Sequence, residues 1–144
     1  MIIVSACLAG LNARHDGTNC MANKIAALVS SGKAIPVCPE RLGGMTTPRE
    51  PVELCRQYNN DICVEVTYAI GANGKDYTAE LIKGAEETLK IAIESGAKKA
   101  VFKDGSPSCG VTYIWCFGKK VRGKGITAKL LERNNIEVIT VDSL

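Results

Sequence analysis

The chain has 144 residues, the size of one domain, and at that length about 70% of the unfolded surface can be buried without disulfide staples. Its 46% hydrophobic and 23% charged residues match an ordinary globular composition and exclude disordered, collagen-like and coiled-coil chains. A formal charge of +3, spread among acidic residues, is too small and too dispersed for a nucleic-acid stripe, so Lys98-Lys99 and the stretch Lys119 to Lys124 read as solvated faces.

In chain order, Ile2 to Ala6 is a short apolar run ending at Cys7. Gly10 and the turn-rich stretch Asn12 to Asn19 follow, which predicts a buried strand running into a loop rather than an export signal or a membrane span. Asn23 to Ser31 carries Ile25, Ala26, Leu28 and Val29 at helical spacing and stops before Gly32. Ala34 to Val37 is a second strand, closed by Cys38-Pro39-Glu40 because a proline cannot donate to a sheet ladder; a loop, Arg41 to Pro51, is expected after it.

Asp61 to Ile70, with Ile62, Val64 and Val66 alternating, reads as an exposed strand or hairpin arm ending at Gly71 to Gly74. The longest helix begins near a capping Thr78, buries Leu81, Ile82, Ala85, Leu89 and Ala92, and ends at Gly96. Lys99 to Lys103 is the next strand, discharging into Asp104-Gly105-Ser106-Pro107-Ser108-Cys109-Gly110. After an excursion over Val111 to Val121, Ile126 to Asn135 reads as a helix and Ile136 to Val141 as a last strand. Apolar strands separated by helices call for parallel pairing with right-handed crossovers. The expectation is one domain over residues 1–144, an α/β three-layer sandwich with a mainly parallel, Rossmann-like sheet.

Seven cysteines, an odd count without an export signal, argue against a disulfide framework and for metal, redox or buried-thiol roles in a cytoplasmic protein. Cys7, Cys38 and Cys109 each stand just beyond a strand's carboxyl end, where parallel sheets bind ligands. None belongs to a C-x-x-C pair, so only the fold makes them neighbours, and three ligands leave one metal position open for chemistry. Gly10, Gly43-Gly44 and Gly110 let backbone N–H groups approach them. Cys55, Cys63 and Cys116 read as core thiols, and Cys20 stands near enough to Cys7 to approach the site. Gly123-Lys124-Gly125 lacks the pattern of a phosphate loop and reads as a tight turn.

With Ser5-Ala6-Cys7-Leu8-Ala9-Gly10, Asp16-Gly17, Pro36-Val37-Cys38-Pro39-Glu40, Gly43-Gly44, Thr47-Pro48-Arg49, Ser106-Pro107-Ser108-Cys109-Gly110 and Gly123 to Ala128 in this order, the chain resembles the thiouracil desulfurase-like family of small iron–sulfur proteins, long catalogued as a domain of unknown function. The resemblance implies a [4Fe–4S] cluster held by Cys7, Cys38 and Cys109 and readily lost in air. It further implies non-redox removal of sulfur from a thiolated pyrimidine or related small thio-compound. It assigns catalytic roles to Glu40 and to Ser106 or Ser108, and makes the loops of Arg14, His15, Asp16 and Arg49 the candidate substrate contacts. Ala13 and His15 replace the Cys and Tyr usual in that family's loop, and Tyr113 to Phe117 replaces a more polar turn, so the thio-substrate is the property these changes touch. The expected partner is that small molecule alone, without nucleic acid or membrane, in a monomer or homodimer. An alternative reading is a zinc- or redox-responsive sensing module using the same thiols; a nucleotide-handling pocket is weakened by the lack of G-x-G-x-x-G after the first strand.

Overall fold

The computed structural model describes residues 1–59 and 64–144, with backbone alone at 56–59 and 64–67. β1 (Ile2–Ser5) leads into a 3-10 turn (Ala6–Ala9), followed by α1 (Asn23–Ser30), β2 (Ala34–Val37), the single-turn α2 (Pro39–Leu42), β3 (Val52–Asn59) and β4 (Val64–Gly71). Then come α3 (Thr78–Ser95), β5 (Lys99–Val101), β6 (Tyr113–Cys116), β7 (Lys119–Arg122), α4 (Ile126–Arg133), β8 (Glu137–Ile139) and a 3-10 turn (Val141–Ser143).

Four strands form one parallel sheet in the order β2-β1-β5-β8. Alternation along the strands splits their side chains between two layers of helix. Ile3, Ala100 and Val138 face Ala92 of α3 and Ala128 and Leu131 of α4. Val4, Ala34 and Val101 face Ile25, Leu28 and Val29 of α1. The result is the expected three-layer α/β sandwich. Pro36 is tolerated inside β2 because that strand is an edge, where a missing N–H leaves no neighbour unpaired.

Two antiparallel pairs, β3 with β4 and β6 with β7, stand beside the sheet, their cluster formed by Leu54, Ala69 and Ile114 against Leu81 of α3. β3 was not expected, because Pro51, Glu53 and Arg56 interrupt its apolar pattern. The expected arm from Asp61 is found as β4 from Val64, while Ile62 and Cys63 lie outside the described residues. The excursion over Val111 to Val121 is the β6–β7 hairpin, reversed at Phe117 and Gly118, both with positive φ.

Three further differences matter locally. The segment expected as loop from Arg41 begins inside α2, for which Pro39 supplies a pre-set N-terminal φ. Tyr77, not Thr78, stands at the N-cap of α3, and Asp76 before it ties down the first turn: its Oδ1 accepts from the Thr78 backbone N–H at 2.8 Å and hydroxyl at 2.6 Å. Ile82 is 45% exposed, since the buried stripe runs through Gly84 and Thr88 instead. No helix among the described residues is long and apolar enough to cross a membrane.

Candidate active site

The chain leaves β1 for β2 on one side and later returns to β5 on the other, so a crevice opens at the carboxyl ends of these three strands. Cys7, Cys38 and Cys109 all line a cavity of about 90 Å³ there. Glu40, Ser106 and Ser108 line the same cavity, as do Arg14, His15 and Arg49. Asp16 and Cys20 fall outside the lining: the Asp16 carboxylate is exposed and accepts from the Thr18 N–H and hydroxyl, while the Cys20 thiol stands behind the cavity, hydrogen-bonded to Cys7.

Each thiol is placed by backbone. Cys7 sits in the 3-10 turn that ends β1, closed by Gly10 at φ 96°, and its carbonyl accepts from the Cys20 N–H at 3.1 Å. Burial, the hydrogen-bonded Cys20 thiol and the Cys38 thiol push Cys7 up to about 12, against the opposing charge of Lys103. Burial also holds the enclosed Cys109 thiol well above its usual range, although a hydrogen bond with the Ser5 hydroxyl works the other way. Without metal, both are neutral thiols at pH 7, and all three site cysteines are free of disulfides.

Cys38 and Glu40 flank Pro39 at the start of α2, which lies against α3 where two glycines meet. A Cβ at Gly43 would stand 1.9 Å from the Glu80 carbonyl oxygen, and one at Gly84 would stand 1.9 Å from that of Pro39. Arg49 locks this segment. Its Nε–H donates to Glu40 Oε2 at 2.6 Å, with the two side chains only 6% and 11% exposed. Its other N–H groups donate to Thr47 Oγ1 at 2.9 Å, to the Ala13 carbonyl at 2.7 Å and to Cys38 Sγ at 3.7 Å. Arg49 therefore orients Glu40 and Cys38 while tethering the loop that carries Arg14 and His15; the His15 carbonyl in turn accepts from the Arg49 N–H at 2.7 Å. At position 13 the buried main-chain carbonyl, rather than the side chain, makes the contacts.

The Cys109 loop is ordered by two acceptors. Ser106 Oγ accepts from the N–H groups of Ser108 at 3.1 Å and Cys109 at 3.0 Å. Asp104 Oδ1 accepts from Gly105, Val111, Thr112 and Tyr113 N–H groups, and its Oδ2 from the Thr112 hydroxyl. Burial pushes this carboxyl up, but those hydrogen bonds together hold it below the ordinary carboxylate range. Gly123-Lys124-Gly125 is more than a tight turn: Gly125 presses on the loop, and a Cβ there would stand 2.3 Å from the Ser108 carbonyl. The first N–H groups of α4 donate to Pro107 and Ser108 carbonyls.

The donor set fits an iron–sulfur core. Cys7, Cys38 and Cys109 line one small cavity, and Ser108 Oγ, fully buried in its wall, has no hydrogen-bond partner among the described residues. An orphaned hydroxyl there is matched by the acceptor sulfides of such a core or by a substrate group. Among the described residues, no three His, Cys, Asp or Glu side chains group closely enough for a single ion. A lone zinc needs its sulfurs within about 2.3 Å of one centre. A cluster, which offers each thiolate a different iron, takes ligands spread around a cavity.

A larger apolar cavity of about 630 Å³, lined by Pro51, Tyr68, Ile70 and Phe117, carries Cys55 but no comparable polar set. Cys55 and Cys116 are thus half-buried rather than core thiols. Lys103, which lines the small cavity, and Ser5, which joins its backbone to Cys109, were not singled out from sequence. Only the pairing of β1 with β5 brings Lys103 beside Ser5 and Cys7.

A family model described as 2-thiouracil desulfurase matches residues 2–143. The uncharacterized protein YbbK of Bacillus subtilis (strain 168) is 40% identical over 147 residues, spanning 100% of this chain and 97% of that protein. A solved structure, that of the [4Fe-4S]-dependent thiouracil desulfidase TudS, matches with a TM-score of 0.85 and 38% identity over 99% of this chain and 91% of that one.

Proposed function

Because the chain belongs to the 2-thiouracil desulfurase family, we propose that it is a [4Fe–4S]-dependent enzyme that hydrolyses the thiocarbonyl of a thiolated pyrimidine, releasing the carbonyl compound and hydrogen sulfide without net redox change. One observation carries the reading: three cysteines far apart in sequence line one cavity together with a buried, oriented carboxylate. Cys7, Cys38 and Cys109 would hold the cluster. When bound, it supplies a Lewis-acidic iron with an open position and an affinity for soft sulfur.

The chain's own groups supply the rest. Glu40 accepts the proton of the water that replaces sulfur at carbon, and the Arg49 contact keeps the carboxylate aimed for that task. Ser106 holds the Cys109 loop through its oxygen, whereas Ser108 keeps an uncommitted hydroxyl in the cavity wall, free to donate to a substrate heteroatom. Arg14 and His15 stand where a ring entering the cavity meets the protein. The zinc form of the sensing alternative draws less support, because the described side chains do not group around one ion.

The test is anaerobic turnover of 2-thiouracil by reconstituted protein, following uracil and sulfide together. Equal amounts of both are expected, and Glu40→Gln should lower the rate by about 10²- to 10⁴-fold at unchanged iron content. Sulfide without uracil, or an unaffected Glu40→Gln, contradicts the proposal.

A further inference from the structure

We propose that Lys103 recognises the thio-substrate as its anion, making it a specificity-determining residue of the cavity; this rests on the desulfurase reading above. The side chain follows β5 and lines the same cavity as the three thiols. Its backbone is fixed from two sides. The Lys103 N–H donates to Ser5 Oγ at 2.9 Å, and the Phe102 N–H donates to the Ile139 carbonyl at 2.9 Å.

Two cations lining the cavity, Lys103 and Arg14, make no ion pair among the described residues, and Lys103 is the one whose charge is felt at Cys7. Glu40 is neutralised by Arg49 at 2.6 Å. Arg14 and His15 adjoin Asp16, whose carboxyl their charges help to hold low, after the Thr18 hydrogen bonds. Asp104, next to Lys103 in sequence, spends its oxygens on the 105–113 loop. Among the described residues no carboxylate stands within ion-pair distance of Lys103 Nζ, which donates only to the Asp104 carbonyl, at 3.1 Å. Two of its N–H bonds remain for another acceptor. The anion left to it is whatever enters the cavity.

A ring N–H beside a thiocarbonyl is acidic because the charge of its conjugate base spreads onto sulfur. A half-buried cation without a carboxylate favours that anion over the neutral tautomer, and over oxo-bases, which ionise less readily. Recognition of this kind presents an electron-rich sulfur to the cavity and disfavours retention of the oxo product.

The experiment compares wild type, Lys103→Gln and Lys103→Arg on 2-thiouracil and on 1,3-dimethyl-2-thiouracil, which has no ionisable N–H. KM is measured, or the inhibition constant where a compound is not turned over. Iron content and calorimetric binding of 2-thiouracil to the metal-free protein across pH 6–9 are measured alongside. Lys103→Gln should raise KM for 2-thiouracil about tenfold, with kcat changed less than about threefold. It should leave the dimethyl compound within about twofold and flatten the pH dependence of binding, and Lys103→Arg should restore most of the difference. Equal effects on both compounds, no effect on either, or a change explained wholly by lost iron overturns the role of Lys103. Failure of wild type to act on either compound defeats the desulfurase reading instead.

Discussion

Gly84→Ala tests whether the α2–α3 crossing positions the chemistry. The new Cβ would meet the Pro39 carbonyl oxygen at 1.9 Å, its carbon at 2.7 Å and the Gly43 nitrogen at 3.2 Å. A relaxed carbon–oxygen contact lies at about 3.3 Å, so the two backbones must part by roughly 1.4 Å. Such overpacking costs about 1–3 kcal/mol, partly offset by the roughly 1 kcal/mol that alanine gains over glycine inside a helix. The fold therefore survives with a small loss of stability, but Pro39 moves, carrying Cys38 and Glu40 with it. A misplacement of about 1 Å at a reacting group costs on the order of 100-fold in rate. Circular dichroism and urea unfolding should show a folded protein within about 2 kcal/mol of wild type, with kcat/KM for 2-thiouracil down about 100-fold and cluster retention weakened. Glu87→Ala, exposed on the same helix, should do neither. A Gly84→Ala protein of full activity would refute the claim that this close approach sets the site.

The buried thiols make metal-free protein sensitive to alkali: with Cys7 raised from 9.0 to about 12 in the fold, its contribution is complete below pH 9 and disappears as pH rises through about 12. Urea unfolding at pH 8 and pH 10.5 should show that Cys7→Ala loses less stability over this interval than wild type, and equal losses would contradict it. Asp104→Ala leaves the N–H groups of Val111, Thr112 and Tyr113 without their acceptor and should cost about 2 kcal/mol or more, with Cys109-dependent iron lost. Unchanged unfolding and iron content would show that another group orders the loop. The same carboxyl, held low in the fold, contributes stability above the ordinary carboxylate range that is lost as pH falls below it.

The sheet and the thiol trio were legible because strand ends carry strong punctuation: Gly10 after Cys7, Pro39 after Cys38 and Gly110 after Cys109. That punctuation places each cysteine at a strand exit, and the handedness of βαβ crossovers brings the exits together. What escaped the sequence reading depends on contacts between distant segments. Arg49 belongs to a loop 36 residues beyond the Ala13 carbonyl it engages, and nothing local announces the bond. Gly84 was not singled out and Gly125 read as part of a turn, whereas their function is to let another backbone within van der Waals reach. β3 hid behind its charged residues because an antiparallel partner, not a continuous apolar run, stabilises it. The β6–β7 turn was obscured by Phe117, which takes a positive φ where asparagine or glycine is usual.

Iron and acid-labile sulfide analysis of anaerobically reconstituted protein, with each cysteine changed singly to serine, tests the central claim most directly. About four irons per chain are expected in wild type, and in the variants at Cys20, Cys55, Cys63 and Cys116, with the cluster lost from Cys7→Ser, Cys38→Ser and Cys109→Ser alone. A wild-type complement of iron in any of those three variants, or its loss on changing Cys55 or Cys116, would contradict a cluster held at the ends of β1, β2 and β5.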